Sequence, residues 1–236
     1  ISAHAASAPD HSLFLYLPLT APHTPWLPTG EWSGKTSIAH YGDFVAQVDG
    51  VIGQVMAALE ESGMAKDTLL VVTSDNGSHW PVSDIERWGH DANNGLRGQK
   101  ADIYEGGHRV PFLVRWPGHV PVGEESSELI CLTDLYATFA SITGEVPEVG
   151  GEDSFDLSAH FMGDRAEKPV RDQIVHHSLH GKFAIRQGPW KLIMKRGSGG
   201  FTKPANVAPK EGEPTGQLYN LKRDPAEAQN VWAEHP

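Results

Sequence analysis

The hydrophobic period switches twice between residues 11 and 73, and nothing else in the sequence constrains the fold as tightly. Residues 11–20 (HSLFLYLPLT) are aliphatic and aromatic and stop at a proline-rich turn, the pattern of a buried strand. Across residues 37–62 the apolar side chains of Phe44, Val48, Val51, Ile52, Val55, Met56 and Leu59 recur at helical spacing, and Gly63 marks the stop. Residues 68–73 (TLLVVT) then form a short, nearly all-apolar run suited to a buried parallel strand. Strand, helix and strand in this order predict a βαβ unit. The fold class is therefore α/β, with helices covering a mainly parallel sheet.

The rest of the chain falls into two textures. Residues 21–34 carry three prolines and two glycines and read as a loop. Residues 74–107 are polar and rich in Gly, Asn, Asp and His, and an irregular stretch this long inside a domain points to function or to disorder. Strand character returns at 110–116, and a short helix over 132–143 is announced by Thr133-Asp134. Beyond Gly150, strand candidates at 173–177, 182–186, 191–195 and 217–221 are separated by Gly and Pro, which predicts a small antiparallel sheet. Residues 197–216 read as a mobile Gly/Pro/Lys-rich excursion, and the run ending at Pro236 reads as the first turns of a helix. The expected division is 1–150 for an α/β domain and 151–236 for a small antiparallel α+β subdomain. With Ile1 at one end and Pro236 at the other, the sequence reads as a piece cut from a longer protein.

Charge and composition exclude some classes. A net charge of −11 disfavours nucleic acid as a partner, because the phosphate backbone repels an acidic surface. No stretch approaches the roughly 20 apolar residues of a membrane span. The single cysteine, Cys131, rules out an intrachain disulfide and lies in an apolar run, as a small core residue would.

Ligands of doubly wound α/β proteins gather beyond the carboxyl ends of the strands. Three segments fall there: 21–26 (APHTPW), 74–77 (SDNG), and the loop with 96–100 (LRGQK) and 104–107 (YEGG). Singly, each has a plain structural explanation. Asp-Asn-Gly is a common turn, a histidine among prolines is an ordinary loop residue, and a lysine in a polar loop is a solvated charge. Together they offer more. Asp75 and Asn76 present the hard oxygens that Ca²⁺ or Mg²⁺ prefers, while His23 and Lys100 add donors for a tetrahedral oxyanion. The residues alone thus reach a divalent-metal site for a sulfate- or phosphate-like group.

The runs APHTPW, YGDFVAQVDGVIGQVMAALEESG, DTLLVVTSDNGSH and LRGQKADIYEGGHRVPFLVRWPG, in that order, resemble the type I sulfatases of the alkaline-phosphatase-like superfamily. KFAIRQGPWKLI and QLYNLKRDPAEAQNV are similar to that family's C-terminal subdomain. The resemblance implies a partial alkaline-phosphatase-like sandwich, residues 1–150 being the C-terminal part of the catalytic domain. It implies Asp75 and Asn76 as Ca²⁺ ligands (Mg²⁺ being the other candidate), Lys100 as the contact to sulfate and nucleophile, and His23 as the ligand of a sulfate oxygen. His90 and Arg97 would line the substrate pocket. Asp49, in mid-helix, takes a structural role, and 104–107 shape a turn. The aromatic stretch 80–88 offers a face on which a sugar could stack.

The family's formylglycine nucleophile is made from a C/S-x-P-x-R motif, which the sequence lacks: Cys131 is followed by Leu-Thr-Asp-Leu. The resemblance places that motif in a missing N-terminal part, so the chain alone is expected to be inactive. The expected substrate is a sulfated small molecule or glycan, met in the periplasm or outside the cell. Two rival readings stay open at this point: a phosphatase or phosphonate-ester hydrolase of the same superfamily, and a non-catalytic module that binds sulfated glycans.

Overall fold

The computed structural model describes residues 1–145, 149–164 and 168–235. They divide into two compact units, the first made of 1–70, 83–90 and 115–118, the second of 71–82, 91–114 and 119–236.

In the first unit α1 (Ser2–Ser7) is followed by α2 (Ala39–Glu61), the long helix expected from the apolar spacing. Its end is a glycine-terminated cap. Gly63 adopts φ +75°, and the Met64 N–H reaches back to the Leu59 carbonyl at 3.0 Å. The loop 21–34 packs on this helix: Trp32 lies so close to Gly50 that a β-carbon there would sit 2.3 Å from its ring. Asp43, buried, accepts the Gly34 and Thr36 N–H groups at 2.7 Å each. These bonds, the Gly34 one first, hold its carboxyl below the usual range. Asp43 is therefore the structural acid of the helix. Asp49, expected in that role, is exposed.

The largest departure from expectation is residues 11–20. They form no strand, belong to neither sheet and are exposed, Phe14 and Tyr16 at 78% each. Apolar composition favours burial but does not supply a neighbouring strand, and backbone groups enter a sheet only when paired. The βαβ unit is consequently incomplete among the described residues. α3 (Val82–Trp88) closes the first unit's helices.

The second unit begins at Val71, within β1 (Leu70–Thr73), which pairs with β2 (Phe112–Arg115) in a two-stranded sheet. β1 is half-buried rather than buried, with Thr73 exposed. Between them lies the single turn α4 (Glu105–His108). α5 (Asp134–Thr143) ends at Gly144 in the left-handed conformation, and α6 (Ser158–Phe161) follows. Cys131 is half-buried rather than a core residue, its N–H donating to Asp134 at 2.7 Å.

The four strands expected beyond Gly150 form an antiparallel meander of β3 (Gln173–His177), β4 (Phe183–Gln187), β5 (Trp190–Ile193) and β6 (Gln217–Asn220). Register follows from Ala184 opposite Ile193 and Ile193 opposite Gln217. The core sits on this sheet: Ile103, Tyr104, Ala184, Ile193 and Tyr219 are all buried together. The excursion after Gly197 is anchored at its start, not loose. The Ser198 carbonyl accepts the Ile103 N–H at 2.9 Å, and residues 198–200 are buried. Trp232–Glu234 is a 3₁₀ turn in place of a helix start, and Pro236 lies outside the described residues. Among the described residues no helix is long and apolar enough to cross a membrane.

Candidate functional site

The strand end at Asp75 is built by backbone contacts that leave no room for side chains. Thr73 Oγ1 donates to the Pro111 carbonyl at 2.9 Å, tying the end of β1 to the start of β2. Gly77 donates to the Gly107 carbonyl at 3.0 Å, and a β-carbon on Gly77 would lie 1.8 Å from the Gly106 carbonyl oxygen. Gly106 in turn lies against the Arg97 and Gly98 carbonyls, where a β-carbon would meet oxygen at 2.7 and 2.5 Å. The glycines of 104–107 therefore pack backbone on backbone, which is the turn-shaping role expected of them.

The same packing brings the lysine loop to the strand end. The Lys100 N–H donates to the Ser78 carbonyl at 2.9 Å. Asn93 links the two loops again, accepting from Ser78 Oγ at 2.8 Å and donating to the Gly98 carbonyl at 2.9 Å. Below them Asp102, fully buried, accepts the Gln99 N–H and the Thr202 N–H at 3.0 Å each. Asp75, Asn76 and Lys100 thus share one loop cluster.

The donors suit a hard cation. Asp75 is exposed, and among the described residues no hydrogen bond reaches its carboxylate. Asn76 Nδ2 donates to the Gly77 carbonyl at 3.1 Å, which leaves its amide oxygen available on the other side. Two such oxygens fill only part of the six to eight places that Ca²⁺ takes. Among the described residues no group of three or more His, Cys, Asp or Glu converges as a complete site. The half-buried Lys100 has no ion-pair partner among the described residues, so its charge is not already neutralised.

The remaining predicted residues are His23, His90 and Arg97. His23 and His90 belong to the first unit. His23 is exposed, its Nδ1 2.6 Å from the Thr24 carbonyl, and His90 comes after Gly89, just past α3. Arg97 is in the second unit, but its guanidinium donates to Tyr219 Oη at 3.2 Å and to the Glu227 carbonyl at 2.6 Å, stacked 3.9 Å over the Tyr104 ring. Trp80, the first ring of the aromatic stretch, is 2% exposed and presents no open face for a sugar.

Sequence reasoning missed the charge network under the loops. Lys191, fully buried on β5, lies 3.0 Å from both Glu105 and Glu227. Glu227 also accepts the Glu105 N–H at 2.7 Å, and Arg186 reaches Glu105 at 3.3 Å. Burial pushes the Glu105 carboxyl up, but Lys191 and Arg186 outweigh it and hold the group below its usual range. For Glu227 burial prevails and the carboxyl stays raised despite Lys191. A lysine alternating with Trp190 and Leu192 inside a strand was the available signal.

Residues 2–145 match the profile of the Sulfatase family. The chain belongs to the sulfatase family. It is 32% identical to an N-acetylgalactosamine-6-O-sulfatase of Bacteroides thetaiotaomicron, over 96% of this chain and 45% of that protein. Human arylsulfatase A is 31% identical over the same shares, 96% and 45%. In structure it resembles a protein solved in work on the metabolism of multiple glycosaminoglycans by Bacteroides thetaiotaomicron. There the TM-score is 0.84 at 30% identity, covering all of this chain and 49% of the other. Ps i-CgsB in complex with k-i-k-neocarrahexaose is matched at a TM-score of 0.75 and 29% identity, over 98% and 48%. The chain therefore spans about half the length of the sulfatases it matches. Its fold is a partial alkaline-phosphatase-like α/β sandwich with the meander as C-terminal subdomain, and these likenesses favour neither rival reading.

Proposed function

We propose that this chain supplies the metal-binding and sulfate-contacting half of a sulfuric ester hydrolase. The bond from the Lys100 N–H to the Ser78 carbonyl carries the reading, because it keeps an unneutralised cation on the same loops as two hard oxygen donors. Asp75 and Asn76 would hold Ca²⁺, or Mg²⁺. A divalent ion there supplies Lewis-acid polarisation of the sulfate oxygens. Lys100 would set its ammonium against the same oxygens, where charge grows in the transition state. His23, placed by the family resemblance, would donate from its ring to a sulfate oxygen, and His90 would line the pocket.

The attacking formylglycine has no counterpart in the sequence, since no C/S-x-P-x-R motif occurs in it. By itself the chain is expected to release no sulfate. A sulfated glycan is the favoured substrate class, because one relative is named for N-acetylgalactosamine-6-O-sulfate and one neighbour holds a neocarrahexaose. Such substrates are met in the periplasm or outside the cell.

The test is sulfate release from a 6-sulfated N-acetylgalactosamine oligosaccharide by the intact protein. Lys100→Ala is expected to lower kcat by roughly 10²- to 10³-fold, the loss typical of one charge-stabilising donor. Asp75→Asn is expected to raise the Ca²⁺ concentration needed for half-maximal rate. Full activity in Lys100→Ala, or turnover indifferent to a chelator, would overturn the reading.

A further inference from the structure

A second concentration of positive charge lies in the second unit and shares no residue with the loops of Asp75 and Lys100. Arg109 just past α4, Arg186 on β4 and Lys222 just past β6 surround a cavity of about 120 Å³, walled on the apolar side by Pro189 and Leu221. In a protein of net charge −11, three cations around one small cavity run against the overall balance. One carboxylate, Glu105, also lines the cavity, but both its oxygens are taken, Oε1 by Lys191 at 3.0 Å and Oε2 by Arg186 at 3.3 Å.

The cations are left over once those bonds are made. Arg186 carries a buried Nε with no acceptor among the described residues. A buried donor without a partner is costly, and native proteins rarely leave one unless something else satisfies it. Neither Arg109 nor Lys222 has a side-chain partner among the described residues. The cavity has room for several water molecules, and so for a compact tetrahedral anion. Guanidinium groups supply the forked N–H donors that match such oxyanions, and the lysine adds a point charge.

We propose that this cavity is an oxyanion site that takes a sulfate or phosphate group between Arg109, Arg186 and Lys222. The group can arrive as the free inorganic ion or as an ester on a larger molecule, since the cations recognise the same oxygens in both. The site does not depend on the hydrolase reading, because Lys100 and Asp75 take no part in it.

The test is equilibrium dialysis of the intact protein against labelled inorganic sulfate at fixed ionic strength. It is run in the wild type, in Lys100→Ala, and in the double variant Arg109→Gln/Lys222→Gln. The double variant removes side chains without partners, so its circular dichroism should match the wild type. Lys100→Ala is expected to keep a sulfate bound at the cavity, whatever it loses at the loops of Asp75, and the double variant to bind that sulfate at least tenfold more weakly. Competition with inorganic phosphate and with a sulfated disaccharide then separates the free ion from the ester as the natural source. Absence of binding in the wild type, loss of all binding in Lys100→Ala, or undiminished binding in the double variant would each overturn the proposal.

Discussion

Residues 13–19 and strand β5 reverse what their compositions suggest. The first run is Leu-Phe-Leu-Tyr-Leu-Pro-Leu and stands exposed, Leu15 at 52%. The second contains a lysine and is sealed, Lys191 being fully buried. Burial is decided by what lies opposite a segment. β5 has a hydrogen-bonded strand on each side and two carboxylates for its ammonium, whereas 13–19 lie in neither sheet. A charge can be buried when it is paired, and an apolar run stays wet when no layer covers it.

Removing the pairing should give the largest effect. Lys191→Met keeps the length of the side chain but leaves Glu105 and Glu227 buried without their shared cation. A loss of about 3–5 kcal/mol is expected, the usual cost of breaking one partner out of a buried ion pair. Urea unfolding followed by tryptophan fluorescence reads it directly. A cost below about 1 kcal/mol would mean the carboxylates are protonated or solvated and that the network does not hold the unit together.

Acid should produce the next effect, and above about pH 4 it acts first through the second unit's histidines. The rings of His108 and His176 meet at a tilt of 59° with centroids 4.4 Å apart, and neither Nε2 has a hydrogen-bond partner among the described residues. Burial first, then the Lys191 charge, lowers His108 to about 4. Burial, His108 and Lys191 lower His176 to about 3. Both values lie below the ordinary histidine value near 6.5, so the unfolded chain takes up protons before the folded one. Stability present above about pH 6.5 is therefore lost as pH falls towards 4, by on the order of 3 kcal/mol for His108. The lowered Glu105 adds to the loss at the acid end, while the raised Glu227 opposes it. Urea midpoints between pH 7 and 4 should fall in the wild type and fall less in His108→Asn. A flat profile would mean that the pair is open to water.

These contrasts explain what could be read in advance. The helix α2, the strand β2 and the four-stranded meander were legible, because local period and turn residues largely decide them. The cluster of Asp75, Asn76 and Lys100 was legible as residue types beyond strand ends, and the Lys100–Ser78 bond brings them onto one pair of loops. What escaped notice depends on long-range partners. Asp102 is held by Thr202, a hundred residues away, and Lys191 by Glu105 and Glu227. The same blindness misplaced residues 11–20, where hydropathy was strong and the partner strand was assumed.

The smallest expected effect sharpens the comparison most. Leu15→Ser replaces an apolar side chain that is already half in water, so little apolar area is transferred on unfolding and no cavity forms. The expected change is within about 0.5 kcal/mol, the range of substitutions away from packed features. A buried leucine stripped of its side chain would cost about 2–5 kcal/mol instead. Urea denaturation of Leu15→Ser beside Lys191→Met puts the two segments on one scale, with the charged one carrying the stability. A loss above about 1 kcal/mol for Leu15→Ser would show that in solution the run 13–19 is covered by some other surface. Dependence of that loss on protein concentration would identify the cover as a second copy of the chain.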